Sequence, residues 1–137
     1  MARFLALTLT HSACLAVGFV LGVYMLPILT APDSPSPEQV ESAASTSRYT
    51  GDFRRNLQDS DALRWGEGKV AIGRDAISLQ GRIAPGPDYR LYLSPEFVET
   101  EADFERLKPR MARVGDVKVF ENFIVPVPAT IDPGNFD

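Results

Sequence analysis

Hydrophobic and polar positions in this chain fall into three successive textures. From Phe4 to Pro32 no residue is charged, and the run "FLALTLTHSACLAVGFVLGVYMLPIL" is close to continuously apolar. A bilayer core is crossed by about 20 apolar residues in a helix, so the pattern predicts a transmembrane anchor over residues 1–29, with Ala13 to Leu29 as its lipid-embedded part. Thr8, Thr10, His11 and Ser12 interrupt the run. Hydroxyls of this kind are tolerated in lipid when they bond back to the carbonyls of their own helix. Residues 30–47, "TAPDSPSPEQVESAASTS", hold three prolines and no aromatic. Such a stretch buries too little surface to offset the entropy of ordering it, and it reads as a Pro/Ser-rich flexible tether.

From Arg48 onward, short alternating segments are punctuated by Gly and Pro. "GKVAIG" and "AISLQG" alternate apolar and polar positions on either side of "GRD", the signature of two half-buried strands joined by a tight turn. In "YRLYLS" the period of two puts Tyr89, Leu91 and Leu93 on one face and Arg90 and Tyr92 on the other. "TEADFERLKPRMARVG" predicts a short helix capped at Thr100, with Phe104, Leu107, Met111 and Val114 as its apolar stripe. Pro109 ends or kinks that helix near Lys108, because it lacks the backbone donor. Strands follow around Val117 to Phe120 and Phe123 to Val125. The predicted class is mainly β: a sandwich-like antiparallel domain over 48–137 with one short helix, preceded by a single transmembrane helix.

Charge settles the expected orientation. Arg3 precedes the apolar run, whereas Asp33, Glu38 and Glu41 follow it and no Lys or Arg appears until Arg48. Positive residues stay cytoplasmic, so the N-terminus is expected in the cytoplasm and the C-terminal domain in a periplasmic or extracellular space. The run exceeds the roughly 15 residues of a signal-peptide core, and "LPILTAPD" is a poor A-x-A cleavage site, which favours a retained anchor. Gly18 and Gly22 form one G-x-x-x-G step, a spacing that also arises by chance in such spans. The net charge of −4, with no basic stripe, argues against a nucleic-acid partner. The expected partners are the lipid bilayer and a protein of the cell envelope.

No catalytic constellation can be named, and the chain is not expected to be an enzyme. The single histidine, His11, and the single cysteine, Cys14, both lie in the apolar run. Residues 48–137 therefore contain no proton shuttle titrating near neutrality and no thiol. Haem ligation needs His, Met, Cys or Tyr; residues 48–137 have no His or Cys, packing is a sufficient explanation for their only Met, Met111, and no cofactor is predictable. Asp59, Asp61, Glu67, Asp75 and Asp88 follow no calcium-loop spacing and read as turn residues. A candidate binding surface consists of Trp65, Arg90 and Tyr92. The commoner arrangement for each is structural: Trp65 packed at a core edge, and Arg90 and Tyr92 in cross-strand pairs on a solvated sheet face.

One resemblance adds to this reading. "SDALRWGEGKVAI" followed by "GPDYRLYLSP", and further on "VGDVKVFENFIVPVP", resemble the DM-thirteen domain family, small extracytoplasmic β domains found beside DOMON domains. The matching positions include Asp61, Ala62, Gly68, Val70 and Ile72, then Gly86, Pro87 and Asp88 leading into Leu91, Tyr92 and Leu93, with coverage from about Tyr49 to Asp137. The resemblance implies a sandwich-like fold and an accessory role in electron transfer, attributed in the family to a cysteine of its last strand. In the family an Asp-rich turn similar to "IDPGNFD" leads into a Trp-Cys strand. This chain stops at that turn, so the domain is expected to be incomplete at its C-terminus. The alternative is a non-catalytic protein- or ligand-binding module of the cell envelope.

Overall fold

The computed structural model describes residues 1–136. The first helix, α1, runs Ala2–Thr30, 29 residues with Pro27 inside it. At 1.5 Å per residue it is about 44 Å long, more than the roughly 30 Å hydrocarbon thickness of a bilayer. It is long and apolar enough to span one, and none of its 18-residue most apolar window is buried. The hydroxyls of Thr8, Thr10 and Thr30 donate to the carbonyls of Phe4, Ala6 and Leu26 at 2.8–3.0 Å, and His11 Nδ1 bonds the Leu7 carbonyl at 2.7 Å. These four polar side chains are thus satisfied within their own helix.

The segment expected to be a flexible tether is instead partly helical. α2 spans Pro37–Ala44, and Pro37 at its first position supplies a φ already suited to a helix. A capping box closes its start: Gln39 N–H donates to Ser36 Oγ at 3.3 Å, and Ser36 N–H donates to Gln39 Oε1 at 2.8 Å. One apolar residue anchors it, since Val40 is only 2% exposed. The composition that suggested disorder is real, yet one buried valine and a reciprocal cap suffice when a sheet face lies underneath. Asn122 Nδ2 donates to the Pro35 carbonyl at 3.5 Å, tying the chain to the folded domain from that point. From Thr30 to Pro35 the backbone can reach at most about 18 Å. The domain is therefore held close to the end of α1.

Strands β1 (Tyr49–Phe53), β2 (Gly66–Ile72), β3 (Ala76–Ile83) and β6 (Glu121–Pro126) form one antiparallel sheet in the order β1-β2-β3-β6. β4 (Tyr89–Leu93) and β5 (Ala112–Val117) form a second, two-stranded antiparallel sheet. The β2–β3 hairpin turns on Gly73, Arg74 and Asp75 as its alternation predicts. Across the larger sheet, Val70 pairs with Leu79 and Leu79 with Phe123; Ile72 pairs with Ile77 and Ile77 with Val125. These two rows, with Leu93, Val114 and Val117 of the smaller sheet, make the core, in which Leu79 is 0% exposed. The opposite face carries Ala71, Ser78 and Ile124 in one cross-strand row. Ser78, expected on a half-solvated face, is buried because α2 packs over β3 and β6 there. β3 is consequently covered on both sides.

Helix α3, Glu101–Leu107, starts where Thr100 Oγ1 accepts from Asp103 N–H at 3.1 Å, and it gives way to a 3-10 turn over Lys108–Arg110. Pro109 ends the helix at the expected place. The apolar stripe beyond Leu107 is corrected: Val114 lies in β5, not on a helix, and this strand begins at Ala112, five residues before the predicted Val117. Once the helix is broken, the chain from Ala112 pairs with β4 as a strand, and the register shift at Val114 leaves Val114 and Val117 both buried, three residues apart. The architecture is a mixed α/β one, with antiparallel sheets, a long apolar N-terminal helix and a few short helices.

Candidate functional site

The larger sheet has four strands and the smaller only two. β5 lies against β6; a Cβ placed on Gly115 would come within 2.9 Å of Val125 Cγ1. β4 is the next strand outward, and beyond its free edge the chain leaves an open groove of about 890 Å³. That volume falls within the range of pockets that take organic ligands. Phe53, Gly66, Ile72 and Ile83 of the larger sheet form its floor, and every residue of β4, Tyr89 to Leu93, lines one wall. Phe97, 67% exposed, stands at the mouth.

Trp65, Arg90 and Tyr92, the three residues of the candidate binding surface, all line this groove. Trp65 is half-buried, and the Arg55 guanidinium lies 3.4 Å above its ring centroid. Arg55 Nε in turn meets Glu67 Oε2 at 3.0 Å, and Arg82 Nη2 meets Glu67 Oε1 at 2.8 Å. Trp65 is thereby held between a cation and the groove. Tyr92 stacks edge-on against Phe104 of α3, ring centroids 5.7 Å apart, so its face of β4 is partly covered and not simply solvated. Arg90 sits opposite Asp116 in register, yet its ion pair is local, Nη2 to Asp88 Oδ2 at 2.6 Å. Asp116 is taken by Arg113 at 2.6 Å, and that hydrogen bond holds its carboxyl below the usual range.

The remaining motif residues have separate duties. Asp61 Oδ1 accepts from Leu63 N–H at 2.7 Å and Arg64 N–H at 2.8 Å, shaping the loop that delivers Trp65. The Leu63 bond, followed by the Arg64 side chain, keeps its carboxyl below the ordinary value. Asp59 Oδ2 accepts from Glu101 N–H at 2.7 Å and ties the same loop to α3. Gly68, at φ +134°, faces Gly81 across β2–β3, and a Cβ on it would lie 2.6 Å from Gly81 Cα. Leu93 belongs to the core.

Gly86, Pro87 and Asp88 lie elsewhere, in a second cleft of about 240 Å³ that they share with Pro27, Thr30, Ala31 and Pro32 at the end of α1. The Tyr89 ring rests on Gly86, where a Cβ would be 2.8 Å from its hydroxyl, and meets Phe120 edge-on at 6.4 Å. Burial, with a smaller effect of the Tyr24 phenol, pushes the Tyr89 phenol up. Tyr89 and Val117 border both the cleft and the groove.

Sequence reasoning missed Phe53, Ile83 and Phe97 as groove residues. Phe97 carried a signal, a large aromatic isolated in the polar stretch "SPEFVE". Phe53 carried none, since β1 reads as polar. Among the described residues no three His, Cys, Asp or Glu side chains gather as metal ligands would. No protein-family model, no curated protein and no solved structure matches the chain.

Proposed function

We propose that this chain is a single-pass membrane protein, N-terminus in the cytoplasm, that displays a DM-thirteen-like, sandwich-like domain outside the cytoplasm as a non-catalytic binding module. The observation that carries the reading is the groove beside β4: about 890 Å³, floored by Phe53, Ile72 and Ile83 and edged by Trp65 and Tyr92. Apolar concavities with a few placed polar groups are where proteins take ligands and partner segments. The face-to-face contact of Gly115 with Val125 supports the sandwich-like description. The short reach from α1 to Pro35 keeps the module close to a bilayer. A redox role comes from the resemblance alone and needs a thiol or a cofactor, and the one cysteine, Cys14, lies in α1.

Trp65 is the only tryptophan and serves as the reporter. The full chain in lipid nanodiscs is titrated with 4-phenylbutanol while Trp65 emission is followed. A saturable shift in the wild type that is lost in Leu91→Glu supports the groove as a binding site. A shift that never saturates, or that survives Leu91→Glu unchanged, removes the reading.

A further inference from the structure

The groove runs along an open sheet edge. β4 pairs with β5 on one side only, and among the described residues no backbone hydrogen bond outside that ladder reaches Tyr89–Leu93. Alternate residues of such a strand direct both N–H and C=O away from the sheet, a row of donors and acceptors that a further strand satisfies. Both faces of β4 border the groove, since all five of its residues line it. The opening is therefore at the strand's edge and not over one face.

Resting on the binding reading above, we propose that the groove's occupant is an extended segment of a partner protein, which adds to β4 as the third strand of the smaller sheet. Seated there, the segment lies over the groove's floor. Its inward side chains meet Phe53, Ile72 and Ile83; its outward ones face water beside Trp65 and Phe97. The chemistry selects a segment alternating β-branched or aromatic residues with small polar ones, because side chains of a strand point alternately to its two faces. Edge strands are commonly guarded by a charge that disfavours a new neighbour. Here the guard is Arg90, and Asp88 neutralises it from two residues back at 2.6 Å. The register shift at Leu91 and Tyr92 places its extra residue, Val114, in β5, so β4 itself runs without an insertion. β5 offers no equivalent site, because of its residues only Val117 lines the groove.

The test uses the full chain in nanodiscs and a panel of eight-residue peptides alternating Val, Ile or Phe with Thr, read by Trp65 emission and by amide hydrogen exchange of β4. Each peptide is compared with its twin N-methylated at every second amide, in both phases of the alternation. Strand addition predicts saturable binding, slowed exchange at alternate β4 amides, and at least a tenfold loss of affinity for the methylated twin of one phase only. Equal binding of all twins overturns the proposal, as does palmitate saturating the groove where no peptide does. If 4-phenylbutanol saturates and every peptide fails, strand addition falls while the groove remains a binding site. If all three probes fail, both readings fall.

Discussion

Val40→Ala tests the replacement of a tether by a docked helix. Val40 is 2% exposed at the centre of α2, beneath which Ala71, Ser78 and Ile124 form a row on the outer face of the larger sheet. The substitution deletes two buried methyl groups, worth about 0.8 kcal/mol each, and the partly collapsed cavity adds a few tenths, for about 2 kcal/mol lost. Alanine is the better helix former by about 0.5 kcal/mol, which acts in the opposite direction. The net expectation is about 1.5 kcal/mol. For a folded domain of this size each kcal/mol moves Tm by about 4–8 °C, so Tm falls by about 6–12 °C. If α2 detaches without unfolding the rest, its docking constant falls about tenfold and exchange of the Val40 and Ser45 amides rises by the same factor. Those N–H groups bond the Ser36 and Glu41 carbonyls. Glu41→Ala, on the exposed side of the same helix, is the control and should change little. A Tm within about 2 °C of wild type, with unchanged exchange, would mean that Val40 is in solvent and that residues 37–44 are a free linker.

Three further expectations follow from the geometry. Gly68→Ala should destabilise the domain by about 1–3 kcal/mol in chemical denaturation, because φ +134° and the facing Gly81 backbone leave no room for a side chain; an unchanged midpoint refutes the close approach. Acid should weaken the fold: the hydrogen bonds from Arg106 and Arg110 lower the Glu96 carboxyl, and that from Arg113 lowers Asp116. A carboxyl lowered in the folded state favours folding above its ordinary value and loses that effect as pH falls through the lowered one. Tm should therefore be level above about pH 5 and drop below about pH 4, less steeply in 1 M salt, and a Tm that rises on acidification contradicts the pairing. Gly86→Val should push the Tyr89 ring off its seat, so that its phenol titrates nearer the ordinary value of about 10 in ultraviolet absorbance; a titration unchanged from wild type means the ring does not rest there.

The local elements were largely legible because their causes are local. The uncharged run from Phe4 predicts α1, Thr100 and Pro109 bracket α3, and the alternation around Gly73 predicts the β2–β3 hairpin. The misreadings share a cause as well. Residues 37–44 look disordered because their stability comes from Val40 against a sheet assembled from segments 30 to 85 residues away. The Met111–Val114 stretch fits a helical stripe and a strand equally well until Pro109 and β4 decide between them. The groove could not be read at all. Trp65, Arg90 and Tyr92 were singled out one by one from chemistry, but nothing in their spacing shows that they border one cavity with Phe53 and Phe97.

What the sequence determined by itself is whatever a window of ten to thirty residues can encode: an apolar helix long enough for a bilayer, caps, turns and strand alternation. Only the tertiary structure decided that the strands divide into a sheet of four and a sheet of two, that β4 keeps a free edge, and that the start of the domain is pulled back to Pro35. Those outcomes depend on which strands pair and which faces meet. That is a property of contacts distant along the chain, which local periodicity does not record.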